Sequence, residues 1–240
     1  MTRRYVMGSL AAGVLAAVTA GVGVTVSTAG GPAATPTIAR NTGQTRQAEV
    51  TAAPKPAAAP SPPVSVALKI RPEYQQNDIF CVPASSVMSL RTFGISTSQR
   101  TLAMKMHTKR PLGTYGDDAI NVLNDYLAPV NFTVTNVTDV RDPAVLMRRV
   151  VNNVGIHGRA PEIAVWTERL PWNKGIPGHI GHVVLAYGYN SRARTITLWD
   201  PWRSTGGRHT ISAKALARAV QHWGMYYYSR SGDVSLTTVK

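Results

Sequence analysis

The sequence predicts an α+β domain in which helices come first and an antiparallel sheet second. Three observations predict it. Between residues 81 and 150, apolar residues recur at helical spacing, with Ser, Asp and Pro standing where helices begin. After residue 160, short apolar runs are joined by brief polar turns, the signature of hairpins. The two kinds of segment do not alternate, which argues against a parallel β-α-β sheet.

The first helix opens at Cys81. Pro83 fits its first turn, where a missing N–H costs nothing. Val87, Met88 and Leu90 supply the apolar spacing, and Gly94 supplies the stop. Ser96-Thr97-Ser98-Gln99 reads as a capping box before a short helix, TLAMKM. In GTYGDDAINVLNDYL, Asp117 and Asp118 occupy a first turn, and Ile120, Leu123 and Leu127 follow. Asp142-Pro143 starts a helix carrying Val145, Leu146, Arg149 and Val150. EIAVW is then a strand, and HVVLAYGYN and RTITLWD form a hairpin about Ser191-Arg192-Ala193. Ser212 caps a helix over SAKALARAVQHW, and GMYYYSR returns as a strand, so Tyr226, Tyr227 and Tyr228 are read as strand residues.

The chain ahead of this domain has a different character. Arg3 and Arg4 precede an uncharged run from Tyr5 to Val26, and Ser27-Thr28-Ala29 offers a small-x-small cleavage pattern. Residues 1–29 are therefore expected to be a signal peptide, with an uncleaved membrane anchor as the alternative. Residues 30–66, rich in Ala, Pro and Thr, hold too little apolar material for a core and read as a linker. The domain is expected over residues 67–232 and a tail over 233–240, in a secreted or envelope-associated protein. The formal charge is +14, of which Arg3 and Arg4 supply two, so an anionic partner is expected. The Lys and Arg residues are scattered without a recognition motif, so nucleic acid is not the expected partner; an anionic cell-envelope polymer or an acidic substrate is.

Cys81 is the only cysteine in the 240 residues. A helix start favours its thiolate, because unpaired N–H groups and the helix dipole attract negative charge. Such a nucleophile needs a histidine, and the histidine an acceptor to orient it. Of six histidines, His182 begins a strand whose hairpin partner ends at Asp200. The hairpin places these two opposite each other or within about two residues. Acyl transfer also needs a donor for the oxyanion, and Gln75 or Gln76, on the loop entering the helix, has the side-chain amide for it. His179 and His182 lack the further ligands of a metal site, so neither metal nor cofactor is expected. Trp199 and Trp202 flank Asp200 and are read as packing residues.

These blocks carry a resemblance. YQQNDIFCVPASSVMSL resembles the nucleophile segment of papain-like cysteine peptidases, in particular the peptidase family C-thirty-nine-like group. GTYGDDAINVLNDYL looks like that group's second block, and GHVVLAYGYN with TITLWDPW looks like its histidine and Asp-Pro strands. The resemblance runs from about residue 72 to 228. It implies a papain-like fold, with Cys81 as nucleophile, His182 as general base and acid, Asp200 orienting His182, and Gln75 lining the oxyanion hole. It implies a thiol hydrolase, a cysteine peptidase acting on peptide or protein, which with the signal peptide gives an exported enzyme, expected to be a monomer; amidase and transpeptidase chemistry would use the same residues. One residue departs from the pattern: Val82 stands where the group has glycine. The competing expectation is an inactive domain of this fold that binds anionic envelope polymers.

Overall fold

The computed structural model describes residues 61–173 and 175–233. The expected signal peptide, the linker as far as residue 60, and residues 234–240 lie outside the described residues. Within them the chain forms five α-helices and seven strands: β1 (Ser65–Ala67), α1 (Cys81–Arg91), α2 (Gln99–Lys105), α3 (Gly116–Leu127), β2 (Phe132–Val137), α4 (Pro143–Val150), β3 (Glu162–Trp166), β4 (Gly181–Asn190), β5 (Thr195–Asp200), β6 (Gly207–Ser212), α5 (Ala213–Ala219) and β7 (Val220–Arg230). One sheet runs in the order β2-β7-β3-β4-β5-β6, every pair antiparallel, and β1 adds to the far end of β4. The class is α+β, as the sequence predicts.

Alternation along the strands sorts the core into two layers. Ala164, Val183, Tyr226 and Tyr228 meet Val87, Leu90, Leu102 and Leu123 of α1, α2 and α3 on one face. Ile163, Val165, Val184, Met225 and Tyr227 meet Leu146, Val150 and Leu216 of α4 and α5 on the other. Leu123 and Leu127 are fully buried, each contributing roughly 1.5–3 kcal/mol of transfer free energy. β4 lies inside the sheet and is buried from His182 to Tyr189, which explains why HVVLAYGYN reads as a nearly unbroken apolar run.

Four local expectations are corrected. The strands β2 and β6 are additional, and β2 breaks the simple order of helices before strands. Its pairing with β7, Phe132 opposite Arg230 through Val137 opposite Met225, joins the helical half to the end of the chain. The helix capped by Ser212 ends at Ala219 rather than Trp223. Val220 pairs with Val165, and the Gln221 amide bonds the carbonyls of Val165 and His182, so tertiary pairing overrides the local helical pattern. Gly224 permits the irregular start of β7: its φ is +67°, and a Cβ there would collide with the Val137 carbonyl. The cap of α2 is Ser98, accepting from Thr101 N, rather than a box from Ser96 to Gln99; Gln99 turns inward instead, as described below. Finally, residues 63–66 of the expected linker pack on the domain together with Ala67: Tyr189 Oη donates to Pro63 O at 2.7 Å, and β1 satisfies backbone groups of β4 from Gly188 to Asn190.

Candidate active site

Cys81 is the first residue of α1, preceded by Phe80, whose side chain makes no cap hydrogen bond. No acidic residue stands in the first turn. The positive end of the helix therefore faces the thiol without a competing carboxylate. The helix is buried along one continuous stretch from Val82 to Leu90, so its position is fixed by packing all round. Ser85 and Ser89 follow Cys81 at intervals of four residues and lie on its face of the helix. Ser85 Oγ donates to the Val183 carbonyl at 3.3 Å, and Ser89 Oγ donates to the Ala160 carbonyl at 2.6 Å. The first bond ties the Cys81 helix to the strand that carries His182, and the second ties it to the segment entering β3.

His182 and Asp200 share a face of the β4–β5 hairpin: Asp200 lies on the face of Leu198 and His182 on that of Val184, and Leu198 and Val184 belong to the same core layer. His182 Nε2 lies 2.7 Å from Asp200 Oδ1, and the two residues are 2% and 0% exposed. Cys81 lines the same cleft as His182, and its side chain helps raise the imidazole pKa. Burial pushes the imidazole toward neutrality, but the hydrogen bonds and charges of Asp200 and Cys81 outweigh it, and its pKa is raised to about 9. Asp200 moves the opposite way: burial raises it, but His182, the Trp172 indole and the Trp202 N–H together hold it below the usual carboxylate range. Its oxygens accept from Trp172 Nε1 at 2.8 Å and from Trp202 N at 2.9 Å. A buried carboxylate with three donors stays ionised and fixes the imidazolium beside it.

The two candidate amides part company. Gln75 is buried, whereas Gln76 is exposed. Gln75 N donates to the Pro201 carbonyl at 2.8 Å, pinning the loop to the residue after Asp200. Its Nε2 donates to Asn77 O at 2.8 Å, which leaves the second amide hydrogen uncommitted. Gln99 holds this loop from behind: its Nε2 donates to Tyr74 O and Glu73 Oε2, and its Oε1 accepts from Gln76 N. Val82 is 6% exposed and packs among the apolar side chains of the helical core.

A cleft of about 430 Å³ opens over Cys81 and His182. Ile79, Leu112 and Val82 line one part of it, and Ile180, Trp223 and Tyr226 another. Trp202 stands edge-on to the His182 ring, with centroids 5.4 Å apart, and so covers the imidazole. Trp199 points to the other face, where its Nε1 donates to Glu73 O. Sequence reading missed Trp172, Gln99 and Gln221. Trp172 sits in an irregular turn, and nothing in its neighbourhood announces a partner 28 residues away.

Residues 67–231 match the model of the Peptidase_C39 like family. No match was found among curated proteins. Among solved structures, a putative C39-like peptidase from Bacillus anthracis is 16% identical at a TM-score of 0.48, covering 69% of this chain and 98% of that one. Xylellain, a cysteine protease from Xylella fastidiosa, is 14% identical at 0.47, covering 70% and 85%. A double glycine motif protease from an AMS/PCAT transporter, in complex with a leader peptide, is 15% identical at 0.46, covering 68% and 94%.

Proposed function

The chain belongs to the Peptidase_C39 like family, a family of papain-like cysteine peptidases, and from that premise we propose that it is an exported thiol-dependent hydrolase that cleaves peptide bonds through Cys81, His182 and Asp200. The observation that carries the reading is the buried 2.7 Å contact between His182 and Asp200 beside the only thiol of the chain, at the floor of an open cleft. The raised imidazole pKa keeps His182 protonated beside Cys81 at neutral pH, ready to give a proton to a leaving group.

In this mechanism the Cys81 thiolate adds to the scissile carbonyl. The oxyanion takes hydrogen bonds from the Cys81 backbone N–H and the free amide hydrogen of Gln75. His182 then gives its proton to the leaving amine, and a thioester remains on Cys81. Water attacks the thioester, His182 takes the water's proton, and the thiol departs as thiolate. Asp200 holds the ring in place throughout. Peptide or protein is the substrate. The export rests on the N-terminal apolar run ending at Ser27-Thr28-Ala29.

Incubation with unfolded protein substrates, followed by mass spectrometry of the products, tests this. Wild type should release peptides and Cys81→Ala should release none. Cleavage that survives Cys81→Ala overturns the assignment. A second reading, an inactive domain that binds anionic envelope polymers, draws on the charge of +14 and on Val82 in place of glycine. Salt-sensitive polymer binding that ignores Cys81→Ser, together with no hydrolysis, would favour it.

A further inference from the structure

Glu162 lies on β3 at the centre of the molecule, 1% exposed, and takes no part in the chemistry above. Its Oε2 is 2.6 Å from the Tyr228 hydroxyl, which is 2.9 Å from Ser89 Oγ, which is 2.6 Å from the Ala160 carbonyl. Three links at hydrogen-bond distance need three hydrogens. Tyr228 and Ser89 own one hydroxyl hydrogen each, and a carbonyl owns none. An ionised Glu162 is an acceptor only, so one link would set two oxygens lone pair to lone pair. A protonated Glu162 supplies the missing hydrogen. The chain then runs from Glu162 Oε2 to Tyr228, from Tyr228 to Ser89, and from Ser89 to Ala160.

The remaining carboxyl oxygen agrees with this count. Glu162 Oε1 is buried without a partner, and so is Ser86 Oγ on α1. Ser86 faces this carboxyl and works to lower its pKa, and a neutral acid keeps Oε1 as an acceptor on that side. The groups that face Glu162 are Ser86 and Ser89 of α1, Tyr226 and Tyr228 of β7, and Leu185, opposite it on β4. None of these is a cation that would hold a carboxylate. Burial drives the Glu162 pKa up to about 7 against the hydrogen bonds of Tyr228, Ser86 and Ser89. Burial and the nearby carboxyl hold Tyr228 well above the usual tyrosine range, so its hydroxyl keeps its hydrogen.

We propose that Glu162 is a positioning residue for Cys81: a neutral carboxylic acid whose hydrogen completes the chain Glu162–Tyr228–Ser89–Ala160 and so seats α1 against the sheet. Ser89 and Cys81 share one face of that helix. When Glu162 loses its proton to solvent, the chain loses a link, a buried charge appears under the helix, and the nucleophile at its start is displaced. This inference rests on the reading of Cys81 as nucleophile. It adds a titration that belongs to neither reacting group.

The test is the rate of Cys81 alkylation by iodoacetamide, from about pH 5 to about pH 10, in wild type, Glu162→Gln and His182→Ala. Glutamine donates to the Tyr228 hydroxyl, accepts from Ser86, and does not titrate. Wild type should show a several-fold fall centred near 7, then a second change near 9 that belongs to His182. Glu162→Gln should keep the wild-type rate on the acid side and show only the upper change. Superimposable wild-type and Glu162→Gln profiles, both sensitive to His182→Ala, overturn the role of Glu162 and leave the nucleophile standing. A wild-type profile that ignores His182→Ala overturns the nucleophile reading instead. Infrared spectroscopy of wild type needs no folded variant: a protonated-carboxyl C=O band should be present at about pH 6 and titrate away near 7. A wild type without that band overturns the proposal.

Discussion

His182 and Asp200 meet at 2.7 Å although the strand register does not pair them. The last matched pair of the hairpin before the site is Leu185 opposite Trp199, so Asp200 lies one residue beyond it and His182 three. The contact is diagonal, and long polar side chains on one face of a hairpin span such an offset. The bulge between Ala186 and Gly188 sets the offset, because an extra residue on β4 shifts every later partner by one.

That diagonal contact depends on the charge of Asp200. Asp200→Asn keeps the shape, removes the charge and admits the wrong imidazole tautomer. The expected fall in kcat is roughly 10²-fold or more. Trp172→Phe is the milder companion. It removes the donor to Asp200 Oδ2, a charge-assisted bond worth about 1.5–3 kcal/mol. Its carboxyl should titrate higher, and the acid limb of kcat/KM should move to higher pH. An unmoved limb would mean that water replaces the indole.

The pH dependence of stability follows from the same pair. His182 has a folded pKa of about 9, above its ordinary value of 6.5. Its contribution is fully present below 6.5 and is lost as pH rises through 9, a span worth roughly 3 kcal/mol. Asp200 is depressed below 3.8, so its contribution is present above 3.8 and is lost as pH falls through the lowered value. Urea midpoints should decline between 6.5 and 9 in wild type. In His182→Ala the part of this decline that runs up to 9 should be lost, leaving only the end of the Glu162 titration near 7.

The two glutamines should separate cleanly in kinetics. Gln75→Ala should lower kcat by about 10²-fold with little change in KM, the cost of one oxyanion donor. Gln76→Ala should leave kcat unchanged, because its side chain is exposed and only its backbone N–H is held, by Gln99. Equal losses in both variants would mean that the loop as a whole, not one amide, supports catalysis.

Gly116 should govern the width of the cleft. A Cβ at this position would lie 2.8 Å from the Trp223 ring, closer than packed atoms come. Both residues line the cleft over Cys81. Gly116→Ala should therefore push the indole into the cleft, raise KM severalfold and change kcat little. An unchanged KM would show that Trp223 swings aside without touching substrate.

The thiol at a helix start was legible because Cys81, Pro83 and the apolar spacing after them are all local. The hairpin was legible because HVVLAYGYN and TITLWD are apolar runs about one polar turn, and their proximity alone brings His182 toward Asp200. The strands β2 and β6 were not. FTVTNV and GRHTIS are short and half polar, and each becomes a strand only by pairing with a neighbour, β2 with a segment some 90 residues further along. The helix expected through Trp223 failed for the same reason, since Val220 and Gln221 trade a local helical pattern for the sheet.

The sequence by itself brought forward Cys81, His182 and Asp200 as the candidate residues, and showed that the chain would form a helical half and a sheet half, because spacing and turn residues act over a few positions. Tertiary structure alone buried Gln75 and left Gln76 exposed, brought Trp172 to the far oxygen of Asp200, and closed the chain Glu162–Tyr228–Ser89–Ala160 across three elements. Those are matters of burial and of hydrogen counting. A buried polar group must find its partners wherever the fold places them, and no local pattern records where that is.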